Sequence, residues 1–292
     1  MKKIILIILL IITLLQAENY KYEATCGFLY QGTILTKFKE ARIALKSWIE
    51  DLINKDGGKA YVNFYKDEEK LYKDLKDNKL DMIVLTAPFF FKNKEDINKH
   101  TKGFWSLDFG SGKYIYYYLI GKNNIENGSF KTLKNKTLSM QINDSIGKVW
   151  LNKNTYEINK LKAEDILKTI RYEEKDSSVV LNVYFGKSDY AIINKRVWDD
   201  MLALNPAITK KVKIIEKTDI GQLNSIGLFS KNTKQIIIDS VFKIGLEMDK
   251  DEGYNNVIDI LDKTTMYKLE KHDLDNLTKY YNDYFKLEEK YN

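Results

Sequence analysis

Between residues 23 and 86 the chain alternates strand and helix patterns with almost no spare residues, and that order leaves few folds open. Glu23 to Phe28 reads as a first strand. Phe38 to Ile53 carries Phe38, Ala41, Leu45, Trp48, Ile49 and Leu52 at helical spacing, and Gly57-Gly58 closes the helix. Ala60 to Tyr65 is a second strand, and Asp67 is placed to cap a helix running to Lys76. Met82 to Leu85 is an unbroken apolar run, which suits a strand covered on both faces. The order β-α-β-α-β predicts a parallel sheet flanked by helices. The third strand runs into Thr86-Ala87-Pro88 and then Phe89, Phe90 and Phe91. Small residues there let a ligand reach backbone amides, while the three rings read either as packing under a lid or as a cleft wall.

A second α/β unit follows without a flexible joint. Strands are expected at Lys113 to Gly121, Leu138 to Ile142, Tyr190 to Ile193, Val212 to Glu216 and Ser225 to Phe229. Helices are expected after Asn143-Asp144-Ser145, at Asp176 to Phe185, Lys195 to Leu204, Gln235 to Met248 and Leu274 to Lys286. The unit reads as inserted into the first, with crossings near Tyr118 to Lys122 and Asp219 to Asn224. The expected organisation is therefore a first lobe of residues 18–120 plus 222–292 and a second of 121–221. From Tyr267 the chain reads as a polar helix whose Leu274, Leu277, Tyr281 and Phe285 would dock on the first lobe.

Met1-Lys2-Lys3, an apolar run from Ile4 to Leu15 and then Gln16-Ala17 have the form of a signal peptide cleaved near Ala17. The run falls short of the roughly 18 to 20 residues that a spanning helix needs. Export to the periplasm is the expectation. With Cys26 as the one cysteine, no internal disulfide can form, and stability must come from burial. The net charge is +6, or +4 without residues 1–17 (45 basic against 41 acidic), and lysines alternate with acids throughout. No basic stripe is present for nucleic acid. The two histidines, His100 and His272, lack metal-ligand spacing, and no hydrolase, P-loop or dinucleotide fingerprint occurs. No catalytic residue, metal or cofactor is expected; an enzyme would have carboxylates alone to work with.

Ligands of open α/β sheets sit at strand carboxyl ends, often on helix N-termini. Four loops are candidates, and they supply Phe28, Tyr30, Thr86, Ala87, Asp144, Ser145, Ile146 and Asp189. Ser145 with the Ile146 amide would hold a ligand oxygen, Thr86 would do the same from the first lobe, and Phe28 and Tyr30 would exclude water. Asp144 and Asp189 would accept from a cationic or hydroxyl portion of the ligand. Asp144 and Ser145 read equally well as helix caps, and Asp189 as a turn stiffener. Tyr116 to Tyr118 alternate faces, so one or two of them can line a cleft.

The segments "LYKDLKDNKLDMIVLTAPFFF" (71–91), "LKNKTLSMQINDSIGKVWL" (133–151) and "VVLNVYFGKSDYAIINKRVWDDMLALNP" (179–206) resemble the phosphate/phosphonate-type (PhnD-like) substrate-binding proteins of ABC importers. Leu80-Asp81, Leu133 to Lys136, Asn143 to Gly147 and Gly186 to Ala191 carry the likeness. It implies a type 2 periplasmic binding protein: two α/β lobes, each a mixed or parallel sheet flanked by helices, closing on a small polar ligand. A phosphate- or phosphonate-like ligand, an ABC permease as partner and a monomeric state are what it implies. A periplasmic sensing module that reports to a membrane signalling protein is the alternative. The family's oxyanion pocket uses a hydroxyl-rich turn, whereas here Asp144 stands beside Ser145. Arg42, Arg171 and Arg196 are the mature chain's arginines, and none lies in one of the four loops.

Overall fold

The computed structural model describes residues 20–29, 39–109, 112–251 and 264–292. Residues 1–17, Tyr30 and Phe38 lie outside the described residues. The first sheet has six strands in the order β11-β4-β10-β3-β1-β2. It is built from β1 (Glu23–Leu29), α1 (Lys39–Lys55), β2 (Lys59–Tyr65), α2 (Glu68–Lys76) and β3 (Met82–Thr86), with β1 parallel to both its neighbours. Asp67 caps α2 by accepting from the Lys70 amide at 2.8 Å. Met82 packs with Cys26 and Trp105 on one face of the sheet, and Ile83 and Leu85 with Leu71 and Phe90 on the other. Two covered faces explain the unbroken apolar run.

α3 (Ala87–Lys92) and α4 (Lys94–His100) lead into β4 (Thr101–Phe109), which pairs antiparallel with β10 (Ser225–Ser230) and β11 (Thr264–Leu269). The sequence reading has no strand at β4 or β11. In β4 the buried positions include Thr101, Ser106 and Asp108, so the apolar alternation that marks a half-buried strand is missing.

The second sheet has the order β7-β6-β8-β5-β9. Its elements are β5 (Tyr117–Lys122), β6 (Thr137–Gln141), α5 (Ser145–Asn159), α6 (Ala163–Ile166), β7 (Thr169–Glu173), α7 (Asp176–Tyr184), β8 (Tyr190–Asn194), α8 (Lys195–Leu204) and β9 (Val212–Lys217). Tyr117 and Leu119 enter one core of this lobe, and Tyr118 and Ile120 the other. The tyrosine-rich strand pairs with β8 and β9, so it belongs wholly to the second sheet. The crossings therefore come at 112–116 and 218–224, and the expected boundary between 120 and 121 falls inside β5. There Ile115 and Gln222 exchange both backbone hydrogen bonds at 2.8 Å, which makes the crossing a two-strand ribbon.

After α9 (Gln235–Glu247) and β11 the chain ends in α10 (Lys271–Tyr291). Leu274, Leu277 and Tyr281 enter the first-lobe core, and Tyr281 stacks on Phe91 at 4.6 Å and 10°. The start of α10 is tied to the crossing, because Lys113 and Tyr114 each donate to Asp273 at 2.6 Å. Burial works against that carboxylate, yet the bonds from Lys113 and Tyr114 hold it down to about 2.

Gly227 of β10 lies under the Trp105 ring, where a Cβ would come within 2.0 Å of it. Ring and strand have to part if that position carries a side chain. Gly227→Ala is expected to lower stability by about 1–3 kcal/mol in denaturant unfolding. An unchanged midpoint would contradict this packing.

Candidate functional site

β1 and β3 end on one side of the first sheet, and β6 and β8 on one side of the second. Helices begin directly at two of these ends, α3 after β3 and α5 shortly after β6. The two helices touch across the lobe boundary. Val149 and Tyr156 of α5 share a core with Phe90, Phe91 and Tyr281 of the first lobe. The helix that Thr86 caps is thus in contact with the helix that Asp144 caps.

On the first lobe, the Thr86 amide donates to Glu68 Oε1 at 2.6 Å and its hydroxyl to Glu68 Oε2 at 3.0 Å. The hydroxyl also caps α3 by accepting from the Phe89 amide at 3.4 Å. Thr86 is therefore engaged with Glu68 and Phe89, where the sequence reading expected it to donate to a ligand. Burial raises the Glu68 carboxyl above its usual range, against the two bonds from Thr86. Ala87 is fully buried and can offer its backbone alone. Phe28 is half-buried and tilts against Phe64 at 6.4 Å. Tyr30 lies outside the described residues. Phe90 and Phe91 are core, so packing is the better description of the aromatic run.

On the second lobe, Asp144 caps α5. Its Oδ1 accepts from the Gly147 amide at 2.8 Å and from the Tyr117 hydroxyl at 2.6 Å. The residue is partly exposed, but its carboxylate is withdrawn from solvent, and that desolvation pushes it up to about 6 against the two bonds. Ser145 is half-buried, and its hydroxyl makes no hydrogen bond among the described residues. Ile146 is buried in the second-lobe core, so only its backbone could serve a ligand.

Asp189 is not part of this constellation. It precedes β8, at the amino end of that strand, roughly 16 Å from the carboxyl end at about 3.3 Å per residue. It accepts from the Thr137 amide (3.0 Å) and hydroxyl (2.9 Å) and from Lys122 (3.1 Å). It acts as a strand clamp.

Other residues enter that the sequence reading passed over. Asn194 ends β8 opposite Tyr117, and with Tyr114, Tyr116, Lys195, Arg196 and Asp199 it lines a cavity of about 100 Å³ beside the crossing. Arg196 thus reaches a strand-end loop that the reading left without an arginine. Gln222, which pairs with Ile115 of that lining, leaves its Oε1 buried without a partner among the described residues. A wider cavity of about 420 Å³ lies between α5, α6 and the end of α10, where Lys148 faces Glu164 at 3.2 Å. Cys26 is fully buried, and desolvation raises its thiol to about 12, so it is neutral at ordinary pH. Among the described residues no cluster of metal-ligating side chains forms, and no helix is long and apolar enough to cross a membrane.

A family model described as "ABC transporter, phosphonate, periplasmic substrate-binding protein" matches residues 33–274. No curated protein sequence matches the chain. Among solved structures it is similar to XAC2383 from Xanthomonas citri bound to ATP, with a TM-score of 0.67 and 10% identity over 92% of this chain and 99% of that one. It is also similar to PhnD1 from Prochlorococcus marinus in complex with methylphosphonate, with a TM-score of 0.62 and 12% identity over 90% and 98%. The aliphatic sulphonate binding protein SsuA from Escherichia coli follows at a TM-score of 0.53 and 11% identity over 90% and 87%. These likenesses establish the type 2 periplasmic binding fold.

Asp144 generates a stability prediction with a definite sign. Its folded value of about 6 lies above the ordinary 3.8, so ionisation is disfavoured by the fold. The empty protein therefore loses stability as pH rises through that window and carries the whole cost above it. Asp144→Asn keeps an oxygen acceptor for Gly147 and Tyr117. It is expected to stabilise the empty protein at pH 7.5 by up to about 3 kcal/mol, with the gain vanishing near pH 4. A gain independent of pH, or none at pH 7.5, would contradict an enclosed, cation-free carboxylate.

Proposed function

We propose, from a chain that belongs to the family of periplasmic substrate-binding proteins of phosphonate-type ABC transporters, that its lobes close over a small polar solute at the starts of α3 and α5. Solute binding is the family's role; where the solute sits is the proposal. The observation that carries it is the contact between two strand-end helices from opposite lobes, with the Ser145 hydroxyl making no hydrogen bond among the described residues. The ribbon at Ile115 and Gln222 supplies a place for hinge bending. α10 travels with the first lobe, and its Tyr284 and Tyr291 grip Tyr156 of α5 when the lobes are together. Opening parts those rings, and closure encloses the solute.

The mature chain would begin near Ala17, act in the periplasm as a monomer and hand its solute to a membrane permease. The relatives' ligands, ATP and methylphosphonate, define the first compounds to test rather than the answer.

A thermal-shift screen over oxyanions, sulfonates, amines, amino acids and vitamins is the direct test, since a solute that binds the folded form raises its melting temperature. With a solute in hand, Ser145→Ala should weaken binding about 3- to 10-fold, as loss of one neutral hydrogen bond does, and leave the empty protein's melting temperature unchanged. Thr86→Val should instead lower that melting temperature, because Glu68 Oε2 loses its donor. If Ser145→Ala binds as tightly as the parent, the solute is held elsewhere.

A further inference from the structure

We propose that the last two turns of α10 form a clasp that holds the lobes together before any solute arrives, so that Tyr156, Tyr284 and Tyr291 tune solute affinity from outside the candidate loops. The inference rests on the solute-binding reading above and concerns how that site is regulated.

α10 is seated on the first lobe. Leu274, Leu277 and Tyr281 share a core with Leu85, Phe90 and Phe91, and Thr278 accepts from Lys94 of α4. Its start is tied to the crossing by Asp273, so the hinge and the far end of the helix stand at opposite ends of one element. That far end reaches α5 of the second lobe. The Tyr284 and Tyr291 rings lie 6.3 and 6.2 Å from the Tyr156 ring, the second pair stacked at 25°. The Tyr156 hydroxyl donates to Asn292 Oδ1 at 3.4 Å. Lys153 of α5 and Lys160 just after it hold their ammonium groups 5.4 and 5.7 Å from the centres of the Tyr280 and Tyr291 rings. Each of these contacts joins one lobe to the other, and each is made by the protein alone.

Tyr156 is fully buried, and two rings of α10 supply part of its cover. Parting the lobes brings that ring into water, which opposes opening. A clasp also has to let go, and here the contact is narrow. Beside the rings the boundary widens into the cavity of about 420 Å³, walled by Lys148, Asn152 and Glu164 from the second lobe and by Tyr284 and Glu288 from α10. At this end of the boundary the grip rests on a few rings rather than on a continuous core. Its effect on the solute runs through the balance of open and closed molecules. When the closed form is the one that encloses a solute, apparent affinity scales with the fraction of empty molecules already closed. The clasp raises that fraction.

Small-angle scattering of the empty protein tests this without any solute. The parent should scatter as a molecule with its lobes together. Tyr291→Ala, and separately deletion of residues 289–292, should shift the radius of gyration upward, while Tyr291→Phe, which keeps the ring, should match the parent. A contact that merely stabilised the fold would lower the melting temperature and leave the folded molecule no larger. Calorimetry then uses methylphosphonate and ATP, the ligands of two similar structures, as probes. Tyr291→Ala should bind a probe that the parent binds about 3- to 10-fold more weakly, the worth of one aromatic pair. A parent that already scatters with its lobes apart, an unchanged radius of gyration in both shortened variants, or parental affinity in an opened variant would overturn the clasp and leave solute capture intact. A clasp that behaves as described in a protein that no compound of the thermal-shift panel stabilises would instead overturn solute capture.

Discussion

Phe91 and Tyr281 stack face to face, and the relation between the two lobes hangs on that contact. It fixes the last helix against the helix that follows β3, with Phe90 and Leu277 enclosed around it. From there α10 extends both ways. Its first turn reaches the crossing through Asp273, Lys113 and Tyr114, and its far end meets Tyr156 of the second lobe. One helix thus touches the hinge, the first-lobe core and the second lobe. The three phenylalanines that look misplaced after a strand are the seat for this helix, and burial of such rings is worth a few kcal/mol each.

The same packing explains the electrostatics of the boundary. Closing α5 against α3 and α10 withdraws Asp144 from water without supplying a cation. The cost falls on the empty protein. Asp189 shows the contrast: with Lys122 and Thr137 around it, nothing is left for a solute to complete.

Much of the fold is legible in the sequence, and for local reasons. Alternating strand and helix patterns, the cap at Asp67 and the glycine pair at 57 and 58 each act within a few residues. The cap at Asp144 is readable in the same way. What escapes reading depends on distant partners. β4 buries Thr101, Ser106 and Asp108 because β10 and β11 flank it, and its own pattern gives no sign of that. Glu68 finds Thr86 eighteen positions away, and Tyr117 finds Asp144 twenty-seven positions away. Two points are present in the chain order itself. Asp189 precedes its strand and so belongs to the amino end, whereas Asn194 ends that strand and Lys195 and Arg196 follow it at the carboxyl end.

Hydrogen exchange on the protein with and without a stabilising solute addresses the central claim most directly. If the solute is held between the lobes, peptides covering Thr86 to Lys92 and Asp144 to Leu151 should both exchange more slowly in its presence, together with the crossing at 112–116. Protection confined to the cavity beside Lys148, Glu164 and Glu288, with neither helix start affected, would contradict capture between the lobes.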